Sequence, residues 1–235
     1  MSKIQGQIWN RTANARPHNW IVHYYHCREL EKVKEYVNGR VLDVGCGVKP
    51  YKDIIEPLST EYVGLDVDFS PYSKEHVDIF GCADNLPLPD ESFDTVVSFQ
   101  VLEHLKEPSD FFLEAFRVLK PGGRLIITTP FLWGIHDEPY DFYRYTNYSL
   151  QYLAEKAGFS VIKITPYGSF WLVWIMMLNY FLVRFFPKKL HFILYPFFYL
   201  NQFFVLMVDN FTLKRYNRDV TYYTTVAEKR KPDVN

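Results

Sequence analysis

Two glycines and a carboxylate have the types and spacing of a nucleoside-binding turn. Residues 41–44, Val-Leu-Asp-Val, lead into Gly45-Cys46-Gly47, and residues 62–66 end in Asp66, nineteen positions after Gly47. Glycines let a backbone approach a ligand without a Cβ in the way, and a carboxylate can accept two hydrogen bonds from a ribose diol. Each feature alone also fits a tight turn or a helix N-cap. Pro50 replaces the third glycine of the G-x-G-x-x-G pattern, which disfavours NAD.

A second polar cluster occupies residues 136–146. Imidazole, carboxylate, phenol and guanidinium groups are concentrated there, which is unusual for a plain connecting loop. The segment is therefore predicted to bind the acceptor of a reaction through His136, Tyr140, Asp141, Tyr143 and Arg144. The alternative is an internal ion pair between Asp141 and Arg144 that only holds the loop in place.

Two histidines are candidate general bases, because the pKa of imidazole lies near neutrality. His136 in the polar cluster is the first candidate. His104, in Glu103-His104-Leu105, is the weaker one, since a capping or core role is also typical of such a position.

The elements that must position these groups alternate between strand and helix. Helices are predicted over 19–37, 108–120 and 149–157, the second stopped by Pro121-Gly122-Gly123. Strands are predicted over 40–44, 61–65, 76–80, 93–99, 124–129, 159–165 and 220–227. This order predicts a doubly wound α/β fold: a Rossmann-like, mostly parallel seven-stranded sheet with helices on both faces.

Composition excludes several classes of protein. The chain has 235 residues, 26 basic against 27 acidic, so no cationic field is available for nucleic acid. Its three cysteines are widely spaced without a C-x-x-C pair, and we expect neither disulfides nor a metal site. The first thirty residues do not have the pattern of a secretory signal, so a cytoplasmic location is expected.

Several blocks in a fixed order identify a family resemblance. They are V-L-D-V-G-C-G, Y-V-G-L-D, L-P-L-P-D-E-S-F-D, V-L-E-H-L and R-V-L-K-P-G-G-R-L-I-I-T-T-P. Over about residues 38 to 165 the chain resembles a class I S-adenosylmethionine-dependent methyltransferase, of the type 11 group with small-molecule and lipid acceptors. The polar cluster also resembles an H-x-x-P-x-D-[YF]-x-R-[YF]-T pattern found in this group, many of whose members belong to bacterial surface-glycan loci.

The resemblance implies a set of cofactor-binding residues. Asp43, Gly45, Cys46 and Gly47 would hold the methionine end, and Asp66 the ribose with Val67 beside the adenine. The remaining implied positions, along the adenine edge and the methyl-donor channel, are Ala83, Asp84 and Gln100. One departure concerns Cys82, where the family often has Asp, so the adenine edge is held either by Asp84 or by backbone and apolar contacts.

An aromatic insertion separates the last two predicted strands. Sixteen of the 43 aromatic residues lie between 167 and 211. Residues 170–186 and 190–208 are apolar on every face, which indicates burial by protein or lipid. A lid or dimer face, a monotopic membrane anchor and a transmembrane hairpin stay open, although 17 residues reach only about 26 Å of a ~30 Å hydrocarbon core.

These observations predict three regions and one activity. The regions are an N-terminal segment and helix (1–37), a Rossmann-like core (38–167 and 218–230) and the hydrophobic insertion (168–217). The expected activity is methyl transfer from S-adenosylmethionine to a small-molecule or lipid- or glycan-linked acceptor, at oxygen. The alternative is a catalytically silent scaffold that docks to a membrane or protein partner through the insertion.

Overall fold

A computed structural model describes residues 16–69 and 73–231. The first fifteen positions of the predicted N-terminal segment therefore lie outside the described residues. In chain order the elements are α1 (Trp20–Val33), β1 (Arg40–Val44), α2 (Lys52–Ile55), β2 (Glu61–Asp66), β3 (Ile79–Phe80), β4 (Phe93–Phe99), α3 (Pro108–Val118), β5 (Leu119–Pro130), α4 (Asn147–Lys156), β6 (Ser160–Tyr167), α5 (Phe170–Phe185), α6 (His191–Arg215) and β7 (Tyr222–Glu228).

The described chain divides into two compact units. Residues 16–31, 132–134 and 166–222 form a helical unit, and the remaining described residues form a sheet unit. The seven-stranded sheet has the order β3-β2-β1-β4-β5-β7-β6, which is the Rossmann-like arrangement predicted from the strand–helix alternation.

The central strands pair in parallel. Strand β1 lies between β2 and β4, and its Asp43 is in register with Gly64 of β2 and Val97 of β4. The carboxyl ends of these strands therefore meet at one edge of the sheet. The sheet is mixed, because the Lys229 N–H donates to Gly123 O (2.9 Å) and places the end of β7 beside the start of β5.

Strand pairing overturns three predicted boundaries. The helix predicted over 108–120 ends at Val118 and the strand predicted over 124–129 begins at Leu119, because Leu119 already pairs with Phe93. The Pro-Gly-Gly segment, predicted to stop the helix, lies within β5, where the register with β4 shifts. The strand predicted over 76–80 shortens to two residues. There the Asp78 carboxylate accepts from Lys49 Nζ (2.6 Å) and Gly64 N (2.7 Å).

The helical unit is built from α1, α5 and α6. Its buried core includes Trp20, Tyr25, Met176 and Val205. Three polar side chains on α5 and α6 are also fully buried and hydrogen-bonded within the unit: Asn179 to His18 O, Gln202 to Pro17 O, and Asp209 to Ser169 N. Among the described residues, the segment Lys188–Arg215 is the one helix that is long and apolar enough to cross a bilayer.

Candidate cofactor and acceptor sites

The glycine turn after β1 is held by the next strand. The amides of Gly45 and Cys46 both donate to Leu65 O, at 2.8 and 3.1 Å. Gly45 has a φ of +73°, and a Cβ there would collide with the side chain of Val101. Both the backbone conformation and the close approach therefore require glycine at this position.

The end of the turn meets the carboxylate that the sequence paired with it. Gly47 N donates to Asp66 Oδ2 (2.7 Å), and Val67 N donates to Asp66 Oδ1 (2.7 Å). A carboxylate has about four acceptor positions, so Asp66 keeps capacity for two hydroxyl donors. Gly47 has a φ of +50°, and no atom beyond the glycine and its two chain neighbours lies within 4 Å of where its Cβ would be, which leaves open space at the turn.

Asp43 lies beneath this turn, at the carboxyl end of β1. Its side chain is buried and accepts a hydrogen bond from the Tyr62 hydroxyl. Burial raises the pKa of Asp43 to about 7, although the hydrogen bond from Tyr62 acts in the opposite direction. A cationic group brought to this carboxylate would favour its ionised form.

Lys49 is a residue of this region that the sequence analysis missed. Its buried ammonium donates to Asp78, and its aliphatic stem occupies the space above Gly64 together with the Cys46 thiol. Burial raises the pKa of Cys46 to about 12, so its thiol is neutral. No sequence pattern indicates this role for Lys49, because a polar residue shortly after a turn is common.

The predicted adenine side is placed beside Asp66 by the backbone. Gly81 N donates to Asp66 O (3.1 Å), and the following residues include buried Ala83 and exposed Cys82 and Asp84. Gln100 has a φ of +58° and bonds β5 through Thr128, by its backbone amide (3.0 Å) and its side-chain amide (3.1 Å). The roles predicted for these residues toward a ligand stay predictions.

The loop of residues 136–146 is held by the ion pair that the sequence analysis gave as the alternative. Arg144 donates to Asp141 from both terminal guanidinium nitrogens, at 2.7 and 2.8 Å. Asp141 Oδ2 also accepts from His136 N at 2.9 Å. The Arg144 guanidinium, followed by the His136 amide, lowers the pKa of Asp141 to about 2 despite partial burial. Asp141 and Arg144 thus orient His136.

The same loop is tied to the segment after β4. Tyr143 OH donates to Lys106 O (2.9 Å), and the Phe142 N–H donates to Glu103 O (2.8 Å). His104 Nδ1 lies 2.7 Å from Tyr140 O. A carbonyl only accepts, so Nδ1 carries the proton and Nε2 of neutral His104 is an acceptor. The rings of Tyr140 and Tyr143 are both exposed.

Glu103, which the sequence analysis did not select, lies between the two candidate bases. Its Oε1 is 3.9 Å from His104 Nε2 and 3.9 Å from His136 Nε2. The carboxyl group is completely buried, and burial raises its pKa to about 8. The structure therefore brings the predicted candidates His104 and His136 together, although they are 32 positions apart in the chain.

Comparison with known proteins shows which proteins this chain resembles. Residues 42–127 match the family described as the methyltransferase domain. Over 96 residues the chain is 43% identical to a Mycolicibacterium smegmatis protein named a probable S-adenosylmethionine-dependent methyltransferase, covering 38% of the chain and 37% of that relative. Residues 42–127 therefore carry the methyltransferase domain, and the relative matched over this part of the chain is named for S-adenosylmethionine dependence.

Further relatives of this chain extend the comparison. It is 29% identical over 112 residues to the ubiquinone biosynthesis O-methyltransferase of Roseobacter denitrificans, covering 43% of the chain and 45% of the relative. The fold is also that of phosphoethanolamine N-methyltransferase 2 of Haemonchus contortus, solved with S-adenosyl-L-methionine, with a TM-score of 0.57, 17% identity and coverage of 92% and 56%. The chain spans less than half the length of the two curated relatives.

The two turn glycines are expected to respond differently to alanine. Gly45→Ala should lower the free energy of unfolding by about 3 kcal/mol, because it adds a collision to an unfavourable φ. Gly47→Ala should cost about 1 kcal/mol, since only the φ is unfavourable, yet it should weaken cofactor binding. Chemical denaturation and calorimetric titration with S-adenosylmethionine measure the two effects, and equal destabilisation by both variants would contradict this account of Gly45.

Proposed function

We propose that this methyltransferase transfers a methyl group from S-adenosylmethionine to an oxygen of a small-molecule or lipid-linked acceptor, such as a glycan precursor. The contact between Gly47 and Asp66, with open space at the turn, carries the proposal. It places a carboxylate with remaining acceptor capacity beside a glycine turn at the carboxyl edge of the sheet, where nucleosides bind in such folds.

Different residues of the turn and of the neighbouring segments suit different parts of the cofactor. Asp43, Gly45, Cys46 and Gly47 would hold the methionine end, where the buried Asp43 carboxylate suits an ammonium group. Asp66 would accept the ribose hydroxyls beside Val67, with Ala83, Asp84 and Gln100 further along the edge. S-adenosylmethionine supplies a methyl group on positively charged sulfur, so the protein's main tasks are to orient the acceptor and exclude water.

The acceptor would lie against His136 and His104. The Nδ1 atoms of the two rings face Asp141 (3.4 Å) and the Tyr140 carbonyl, which leaves each Nε2 as an acceptor. An acceptor hydroxyl hydrogen-bonded to His136 would lose its proton to that imidazole. Transfer to oxygen is supported by the Roseobacter relative, whose name describes an O-methyltransferase.

Replacing Asp66 tests the cofactor site. Asp66→Ala should weaken S-adenosylmethionine binding by more than about tenfold, because a charge-assisted hydrogen bond contributes roughly 1.5–3 kcal/mol. Isothermal titration measures the affinity, and Asp68→Ala, which removes an exposed carboxylate two positions away, is the control. A folded wild-type protein that binds neither the cofactor nor its demethylated product would refute the proposed function.

Replacing His136 tests the acceptor side. His136→Asn should reduce methyl transfer by about a hundredfold or more while S-adenosylmethionine affinity stays unchanged. Transfer is followed by mass spectrometry of a lysate extract incubated with protein and cofactor labelled in the methyl group. His191→Asn, in the helical unit, is the control, and equal labelling by wild type and His136→Asn would remove His136 from the reaction.

We also propose that this cytoplasmic enzyme associates peripherally with the inner membrane face through its helical unit. On α6 the buried residues Phe198, Gln202, Val205 and Asp209 form one face. The opposite face carries Leu200, Phe204, Met207 and Phe211, with Met207 81% exposed. The polar residues of the buried face are hydrogen-bonded within the unit. The opposite face is apolar and exposed, so it is available to contact lipid.

The ends of α6 favour an anionic lipid surface over a second copy of the chain. Lys188 and Lys189 precede the helix, and Lys214 and Arg215 complete it. Basic groups beside an exposed aromatic face suit the interface between headgroups and acyl chains. Such a surface would bring the enzyme to a lipid-linked acceptor, which the silent scaffold would not need.

Removing the exposed face tests membrane association. The double variant Leu200→Gln, Met207→Gln should bind anionic phosphatidylglycerol vesicles about tenfold more weakly, because it loses two large apolar side chains from the contact. Cosedimentation measures binding, with Tyr148→Ser, Tyr152→Ser on the exposed face of α4 as the control. Unchanged cosedimentation, or a dimer that the double variant dissociates in the absence of vesicle binding, would contradict the proposal.

A further inference from the structure

Three side chains of types that can bind a metal converge beyond the carboxyl ends of β4 and β5. Glu103 and His104 follow β4, and His136 follows β5. One ligand atom from each of the three side chains lies within 4.8 Å of the other two. These two loops are held together by the bonds of Phe142 N and Tyr143 N to Glu103 O, so the convergence is fixed by the backbone.

The Glu103 carboxyl group is buried, and no side chain in the described part of the chain donates a hydrogen bond to it. Its side chain is 0% exposed, and among the described residues neither of its oxygens has a hydrogen-bond partner. Leaving such a group unsatisfied costs free energy, so nearly all buried polar side chains are paired with protein, water or an ion. The two imidazoles are partly exposed, which leaves a path for an ion from solvent.

The outer atoms of both histidines are arranged as in metal-binding imidazoles. Ligating histidines almost always place their second nitrogen against a carboxylate or a backbone carbonyl, which fixes the tautomer and the ring orientation. Here His104 Nδ1 contacts Tyr140 O, and His136 Nδ1 lies 3.4 Å from Asp141 Oδ2. Asp141 is itself held by Arg144, so both Nε2 atoms are directed toward Glu103.

We propose that Glu103, His104 and His136 bind a divalent transition-metal cation of the Zn²⁺ type, through the carboxylate and the two Nε2 atoms. Ligands about 2.0–2.2 Å from a tetrahedral Zn²⁺ lie roughly 3.4 Å from one another. The two Nε2–Oε1 distances are 3.9 Å, so small side-chain rotations close the site. Three protein ligands leave a fourth position open, as in catalytic rather than structural zinc sites.

The ligand chemistry selects the class of cation and gives it a use. Two imidazoles with one carboxylate suit Zn²⁺ and its neighbours, whereas Mg²⁺ prefers oxygen ligands alone. A cation at this edge lowers the pKa of a hydroxyl that it binds, and this use rests on the proposed function. In the metal-bound protein the two Nε2 lone pairs would serve as ligands, and the acceptor's proton would leave to solvent.

Metal binding is tested without an assay of activity. Chelator-treated protein is titrated calorimetrically with Zn²⁺, and with Co²⁺ while its visible absorption is recorded. We expect one equivalent of either ion per chain, with Mg²⁺ binding at least about tenfold more weakly. Glu103→Gln and His136→Asn should each weaken Zn²⁺ binding by more than about tenfold, whereas His191→Asn should not.

S-adenosylmethionine affinity of the same variants separates this proposal from the proposed function. Wild type that binds the cofactor but no Zn²⁺, or Zn²⁺ affinity equal in wild type and Glu103→Gln, overturns the metal site and leaves the cofactor site standing. Zn²⁺ binding that requires Glu103 in protein that does not bind the cofactor supports the metal site alone.

Discussion

The hydrogen bond from Gly47 N to the Asp66 carboxylate joins the ends of the two central strands of the site. The turn has no helix long enough to hold it, since α2 has only four residues. It is held instead by Leu65 O, which accepts from Gly45 and Cys46, and by the carboxylate one position later. The carboxyl end of β2 thus fixes the backbone geometry of the turn to which we assign the cofactor.

The position of the candidate acceptor residues depends on the same edge of the sheet. Val101 fills the space left by the missing Cβ of Gly45, and Glu103 is only two positions further along the chain. A shift of the glycine turn after β1 would therefore displace the segment that carries Glu103 and His104. The loop of residues 136–146 adds a second restraint on this segment, because two of its backbone amides donate to Glu103 O. The proposed cofactor and acceptor sites are therefore linked by packing of adjacent chain segments.

The helical unit uses buried polar groups in a different way. Asn179, Gln202 and Asp209 would be costly to bury alone, yet each finds a partner within the unit. These bonds fix which face of α5 and α6 is turned inward, a choice that side chains apolar on every face could not specify. The outward face is left rich in large apolar groups.

Local sequence patterns were enough to predict the sheet and the glycine turn of this protein. The predicted bounds of β1 and β4 agree with the structure, because each is a short apolar run enclosed by turn residues. The strand–helix alternation predicted the Rossmann-like sheet, and glycine spacing with Asp66 pointed to the turn, whose two parts lie in contact. The roles assigned to individual site residues stay predictions.

Tertiary structure alone decided the features that depend on residues distant in sequence. Pairing of Leu119 with Phe93 ended α3 early, and the bonds of Asp78 to Lys49 and Gly64 accompany the shortening of β3. The sequence expectation of no metal site considered cysteine spacing, whereas Glu103 and His136 meet only because β4 and β5 are parallel neighbours. Periodicity reports which side of one element is buried, but the partner it faces depends on chain contacts that no local pattern encodes.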